Sequence, residues 1–127
     1  MDSTHQLGAL QHRIMGVLWQ RGEASAVEVH EALGKDRAPT TIATMLQKME
    51  RKGVVTHRQE GRLFVYRALV SEGEVKRSMV ASLTERLFGG DAAELAHHLL
   101  DERQLSSDEL ERLRRRIERA EQERGDA

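Results

Sequence analysis

The sequence contains no cysteine, a single proline and few aromatic residues. The absence of cysteine excludes disulfide frameworks, thiolate zinc sites, iron–sulfur ligation and cysteine nucleophiles. No run of 18 apolar residues is present, and the N-terminus lacks the basic and apolar segments of a secretory signal. We therefore expect a cytoplasmic protein without membrane insertion. Because aromatic residues make up only 3% of the 127 residues, we also expect some apolar surface to be buried against a partner.

The net charge of −1 conceals an uneven distribution along the chain. Residues 1–70 carry 10 basic and 7 acidic side chains, whereas residues 71–127 carry 10 and 14. The segment from Lys35 to Arg67 has 8 basic and 3 acidic side chains, a net charge of +5. A basic segment in an otherwise acidic chain favours contact with a polyanion through that segment.

Helical spacing of apolar residues dominates the first 53 residues. The segment Leu7–Arg21 has the stripe of an amphipathic helix. A Ser-x-x-Glu capping box, Ser25 to Glu28, predicts the start of a short second helix. Pro39 suits the first turn of a third helix, which Gly53 would end.

The pattern then changes to strands. Val54–Gln59 and Leu63–Arg67 are rich in β-branched and aromatic residues, with a turn at Glu60–Arg62. Three helices followed by a hairpin is the order of a winged helix-turn-helix domain, which we place at residues 1–70. The predicted fold class is mainly α with a small β-hairpin.

The remaining residues, 71–127, predict a helical dimerisation domain. Capping boxes at Ser71–Glu74 and Ser106–Glu109 and a cap at Asp91 would start three helices. Their single apolar stripes are too few to form a hydrophobic core within one chain. Two copies are therefore expected to pair as a homodimer. The alternative is packing of these stripes onto the first domain in a monomer. The predicted dimer residues are Leu83, Leu87, Leu95, Leu99, Leu110, Leu113 and Ile117.

The side chains give no support to catalysis. The chain has no Gly-x-Ser-x-Gly turn, and Gly89–Gly90 is too short for a phosphate-binding loop. We expect neither an enzyme nor a cofactor. The histidines lack metal-ligand spacing, and His97 and His98 would point about 100° apart on a helix, so no metal site is predicted. These two residues alone favour one alternative, a DNA-binding regulator released by a small ligand or metal.

The third helix and the hairpin are better suited to binding nucleic acid than to catalysis or metal binding. The recognition helix, about residues 40–52, would turn its apolar stripe inward and its polar face to the major groove of an operator. Thr40 and Thr44 would approach bases, while Arg62 at the hairpin tip would contact phosphate or the minor groove. An alternative is a protein–protein adaptor whose basic face docks an acidic surface. The predicted DNA-binding residues are Thr40, Thr41, Ala43, Thr44, Gln47, Lys48, Arg51 and Arg62.

The chain resembles the penicillinase/methicillinase repressor family, the BlaI/MecI type with its copper-responsive relatives. The resemblance covers nearly the whole sequence. It rests on Leu7–Gln11, Ile14–Met15, Leu18–Trp19, Thr41–Met49, Lys52–Gly53, Gly61–Arg62, Tyr66, Phe88–Asp91 and Leu105–Ile117. It implies a homodimeric transcriptional repressor that binds an inverted repeat through winged helices.

In the best-known members of that family, a membrane sensor with a metallopeptidase domain triggers cleavage in the C-terminal domain. The resemblance aligns the cleaved Asn-Phe pair with His98-Leu99 here, so the protease specificity would differ. Ala43 stands where some members carry arginine, which implies a different operator sequence. The paired cysteines of the copper branch are absent, which excludes copper sensing by that route.

Overall fold

A computed structural model describes residues 5–34 and 36–125. Their elements confirm the predicted class, helices with a small sheet. In chain order they are α1 (Ala9–Arg21), β1 (Ala24–Ser25), α2 (Ala26–Leu33), α3 (Pro39–Lys52), β2 (Val55–Glu60), β3 (Leu63–Ala68), α4 (Glu72–Phe88), α5 (Ala92–Asp101) and α6 (Ser107–Gly125).

Side-chain caps mark the starts of α2, α4, α5 and α6, as the sequence predicts. Ser25 Oγ accepts from the Glu28 amide at 3.3 Å, and the Glu28 carboxylate accepts from the Ser25 amide at 2.9 Å. Ser106 and Glu109 repeat this reciprocal pair, with distances of 3.2 and 2.8 Å. Each cap satisfies backbone donors that the first turn leaves without partners.

The sheet has three antiparallel strands in the order β1-β3-β2, so the prediction of a lone hairpin was incomplete. The short β1 pairs Ala24 with Tyr66 and Ser25 with Val65. Strand β2 begins and ends one residue later than predicted, and β3 extends to Ala68. The turn of the hairpin is therefore only Gly61 and Arg62. This outer hairpin is the wing.

The buried core lies beneath the wing and the first helices. Among the described residues, every buried apolar side chain lies between Leu7 and Val75. The indole N–H of Trp19 donates to the Val70 carbonyl at 2.9 Å, which ties α1 to the segment before α4. The largest fully buried side chains are Ile14, Met15, Leu18, Val29, Ile42, Leu46, Met49, Val54, Val55 and Val75.

The chain divides into two compact units, Met1–Ser82 and Leu83–Ala127. The first half of α4 contributes Val75 to the core of the first unit, so this division falls later than residue 70. The assignment of 1–70 to DNA and 71–127 to dimerisation stays a prediction. In the second unit, α5 and α6 have no buried residue over their described lengths. No helix in the described ranges is long and apolar enough to cross a bilayer.

Candidate nucleic-acid interface

Helix α3 presents one polar face because its opposite face is anchored in the core. Ile42, Leu46 and Met49, at helical spacing, are fully buried. Pro39 occupies the first turn, where the lack of a backbone N–H is tolerated. Gly53 ends the helix with φ of 94°, and its amide bonds the carbonyls of Met49 and Glu50. The position and rotation of α3 are thus set by burial at three points and by its two ends.

Seven of the eight predicted DNA-binding residues are exposed, and Ala43 is half-buried. All but Arg62 lie on α3, where threonines occupy the N-terminal turns and basic residues the C-terminal turns. Hydroxyl groups near the start of a helix can approach phosphates and bases closely, and basic side chains near its end can contact the phosphates of the DNA backbone. The exposed residues are Thr40, Thr41, Thr44, Gln47, Lys48, Arg51 and Arg62.

The tip of the wing carries Arg62. Gly61 has φ of 64°, the left-handed conformation that a two-residue hairpin turn requires. The register pairs Glu60 with Leu63, so the chain reverses directly at Gly61-Arg62. Arg62 is therefore carried at the exposed end of a paired hairpin.

A groove of about 200 Å³ joins the wing to α3. Ala43 and Gln47 line it from α3, and Arg62 and Phe64 line it from the wing. Three of the predicted site residues are thus brought to one surface. Val27, which the sequence analysis did not select, lines the same groove from α2. An apolar side chain there suits contact with a thymine methyl group.

Three side-chain contacts of the wing were not predicted. Arg58 of β2 donates to Glu23 at 2.7 Å and to Glu60 at 2.6 Å. The hydrogen bond that Arg58 donates to Glu23 raises the pKa of Arg58 and lowers the pKa of Glu23. On the other face of the wing, His57 meets Glu50 of α3 at 2.7 Å. The His57–Glu50 and Arg58–Glu23 pairs join residues 7 and 35 positions apart on different elements, so no local pattern could reveal them.

The predicted dimer residues present apolar surface in the single chain. Leu113 on α6 is 38% exposed and Ile117 is 53% exposed. Leu110, Leu113 and Ile117 share one open groove with Leu100 of α5. Leu83, Leu87 and Leu99 are also exposed, and Leu95 is half-buried. Among the predicted dimer residues, three thus share one apolar groove, and the others lie outside its lining.

The two histidines of α5, His97 and His98, contact neighbouring side chains of α4 and α5. His97 lies 3.8 Å from Glu94, and the His98 ring packs at 5.9 Å from that of Phe88. Within residues 5–34 and 36–125, no group of three side chains is arranged to hold a metal ion. The His98–Leu99 peptide bond lies inside α5.

Comparison with known proteins identifies the family. The penicillinase repressor family matches residues 7–119 of the chain. The transcriptional regulator BlaI of Mycobacterium tuberculosis is 31% identical over 121 residues, covering 92% of this chain and 86% of that protein. The penicillinase repressor of Bacillus licheniformis is 30% identical over 115 residues, covering 89% and 90%.

A solved structure supports the same assignment for the first unit. The solution structure of the DNA-binding domain of the repressor BlaI is 32% identical to the chain, with a TM-score of 0.51. It covers 58% of this chain and 93% of that domain. The order of elements, the three-stranded sheet and these matches agree with one another. The chain therefore belongs to the penicillinase repressor family and has its winged-helix fold.

Proposed function

We propose that the chain is a homodimeric transcriptional repressor that binds an inverted-repeat operator through α3 and the wing. The observation that carries this proposal is the polar face of α3, which shares a groove with Arg62 of the wing. Thr40 and Thr44 would approach bases, with Ala43 and Gln47 lining the groove beside them. Thr41, Lys48, Arg51 and Arg62 would contact phosphates. Family membership supports a repressor rather than an enzyme.

Dimerisation is proposed from the composition of α5 and α6. Neither helix buries a residue in the single chain, although both carry leucines at helical spacing. An isolated pair of helices without a core gains little stability, so a second copy would supply the missing contacts. A two-fold dimer would place two α3 helices on half-sites one helical turn apart, or a multiple of it.

Selection from a random library of double-stranded DNA tests this proposal. The expected winner is palindromic, with half-site centres about 10 base pairs or a multiple apart. Lys48, Arg51 and Arg62 give six exposed cations per dimer. The logarithm of the binding constant should therefore fall with the logarithm of salt concentration with a slope of about −5. No enrichment, with shallow salt dependence, would instead favour an adaptor that docks an acidic protein.

Lys48→Ala separates a phosphate contact from general charge. Each dimer loses two cations from the interface, so the salt slope should become less steep by about 2. The matched control is Lys76→Ala, which removes another exposed cation, from α4. If both variants keep the wild-type slope, Lys48 does not contact phosphate. If both lower it equally, the effect is one of overall charge.

For release from the operator we propose disruption of the dimer by cleavage in α5. The resemblance places the cleaved bond at His98–Leu99. Since this bond is held in a helix, a protease would first need to unwind that turn. Mass spectrometry of the protein, taken from cells in which repression has been relieved, should then detect a fragment that ends at His98. An intact chain released by added Ni²⁺ or Zn²⁺ would favour the metal-released alternative.

A further inference from the structure

An acidic and an imidazole side chain meet where α3 approaches the wing. His57 Nδ1 of β2 lies 2.7 Å from Oε1 and 2.9 Å from Oε2 of Glu50. The two side chains are 30% and 32% exposed, so they are neither free in solvent nor part of the core. This contact links the wing directly to the helix whose outer face is proposed to enter the major groove.

The imidazole ring is held on its other sides by β3. It stacks on Phe64 with ring centroids 4.3 Å apart and an interplanar angle of 25°. Its cross-strand partner Tyr66 lies at 5.5 Å, and the Tyr66 side chain is buried. Burial raises the pKa of Tyr66, and the nearby charge of Glu50 raises it further. Glu50 from α3 and Tyr66 from β3 are thus the titratable groups that face His57.

Other contacts also hold the wing: Arg58 of β2 donates to Glu23 at 2.7 Å, and Val55 and Tyr66 are buried in the core. Strand β1 offers only two residues, which pair with Tyr66 and Val65, below the distal half of the hairpin. From Arg58 to Phe64 the two strands pair with each other within the sheet. The His57–Glu50 contact adds a restraint on the α3 side of β2, opposite to the Arg58–Glu23 contact.

We propose that His57 and Glu50 are a positioning pair that fixes the wing relative to α3 and tightens DNA binding as the pH falls from 8 to 6. This inference rests on the proposed function. Histidine is the side chain that ordinarily changes charge between pH 5 and 8. When His57 is protonated, its hydrogen bond to the Glu50 carboxylate is also an ion pair, which adds a Coulombic attraction to the hydrogen bond. A better fixed wing loses less conformational freedom on binding.

The test compares the pH profiles of four proteins on the duplex recovered by the selection above. Filter binding at pH 6, 7 and 8 and constant ionic strength gives the dissociation constants. For each protein, the dissociation constant at pH 8 is divided by that at pH 6. This ratio should be about threefold to fivefold larger for wild type than for His57→Phe. His57→Phe keeps the stack on Phe64 and removes the Nδ1 donor. Glu50→Gln keeps a hydrogen-bond acceptor but removes the charge, and should also lose most of the tightening of DNA binding at pH 6. The control His97→Phe should keep it.

A second readout separates positioning from contact with DNA. If protonated His57 met a phosphate, Glu50→Gln would retain the pH dependence and the wild-type salt slope would steepen at pH 6. Either result would overturn the positioning role. Circular dichroism at all three pH values checks that each variant is folded; should His57→Phe unfold, Glu50→Gln carries the test alone. If Glu50→Gln binds DNA as wild type does and with the same pH profile, this inference is wrong and the repressor proposal still holds. Recovery of no duplex overturns both.

Discussion

Leu113 gives a sharp test of where two copies of the chain meet. Its side chain lies on α6 in the groove with Leu110 and Ile117, and it is 38% exposed in the single chain. Full burial of a leucine side chain contributes about 1.5–3 kcal/mol, so the exposed part corresponds to about 0.6–1.1 kcal/mol. A two-fold dimer contains the residue twice. Leu113→Ala should therefore weaken the dimer by about 1–2 kcal/mol, roughly tenfold in its dissociation constant.

Leu113→Asp should have a larger effect because it places a carboxylate in the same position. Burying an unpaired charge costs several kcal/mol, and a two-fold dimer would contain the substituted residue twice. We expect this variant to be a monomer. Arg115→Ala is the matched control, since position 115 lies about 200° around the helix from Leu113 and is exposed.

Sedimentation equilibrium at several loading concentrations measures the dimer dissociation constant of each protein. Circular dichroism confirms that the helices are retained in the variants. A dimer of unchanged strength in both Leu113 variants would refute the reasoning, because α6 would then lie outside the dimer contact. A loss of the dimer in Arg115→Ala as well would point to helix destabilisation rather than to a specific surface.

Three other changes test the first unit. Arg62→Ala should make the salt slope of operator binding less steep by about 2 in the dimer, with unchanged thermal unfolding; an unaltered slope would remove the wing tip from the phosphate contacts. Leu46→Ala should lower the free energy of unfolding by about 2–5 kcal/mol in a urea titration, because Leu46 is fully buried. The Ser25 amide and hydroxyl lower the pKa of Glu28 below 4.5, so its contribution to stability is present above that pH and is lost as the pH falls through the lowered value. The difference in unfolding temperature between wild type and Glu28→Gln should thus narrow below pH 4.5, and a constant difference would contradict the cap.

The sequence was sufficient for features that depend on neighbouring residues. The Ser25–Glu28 and Ser106–Glu109 boxes need residues three apart, and both form as expected. The stripe of α3 needs only the helical period, and Ile42, Leu46 and Met49 are buried accordingly. Family membership was also recognisable, because its motifs extend over most of the chain.

Features that depend on distant pairing were not accessible in this way. Strand β1 has two residues, and Ser25 serves there both as a strand residue and as the cap of α2, so its sequence predicts only the cap. The partners of Arg58 and His57 depend on sheet register and on how α3 packs. Val75 is likewise drawn into the first unit by the direction of α4, which no local pattern specifies.

The hydrogen bond between Trp19 and Val70 gives the protein a built-in optical reporter. Trp19 is the single tryptophan of the chain and is half-buried, with the His12 ring edge-on at 5.8 Å. Loss of the bond to the Val70 carbonyl would expose the indole to water and move its fluorescence emission to longer wavelength. The segment that leads from β3 into α4 can therefore be followed in the unlabelled protein while DNA, protease or metal is added.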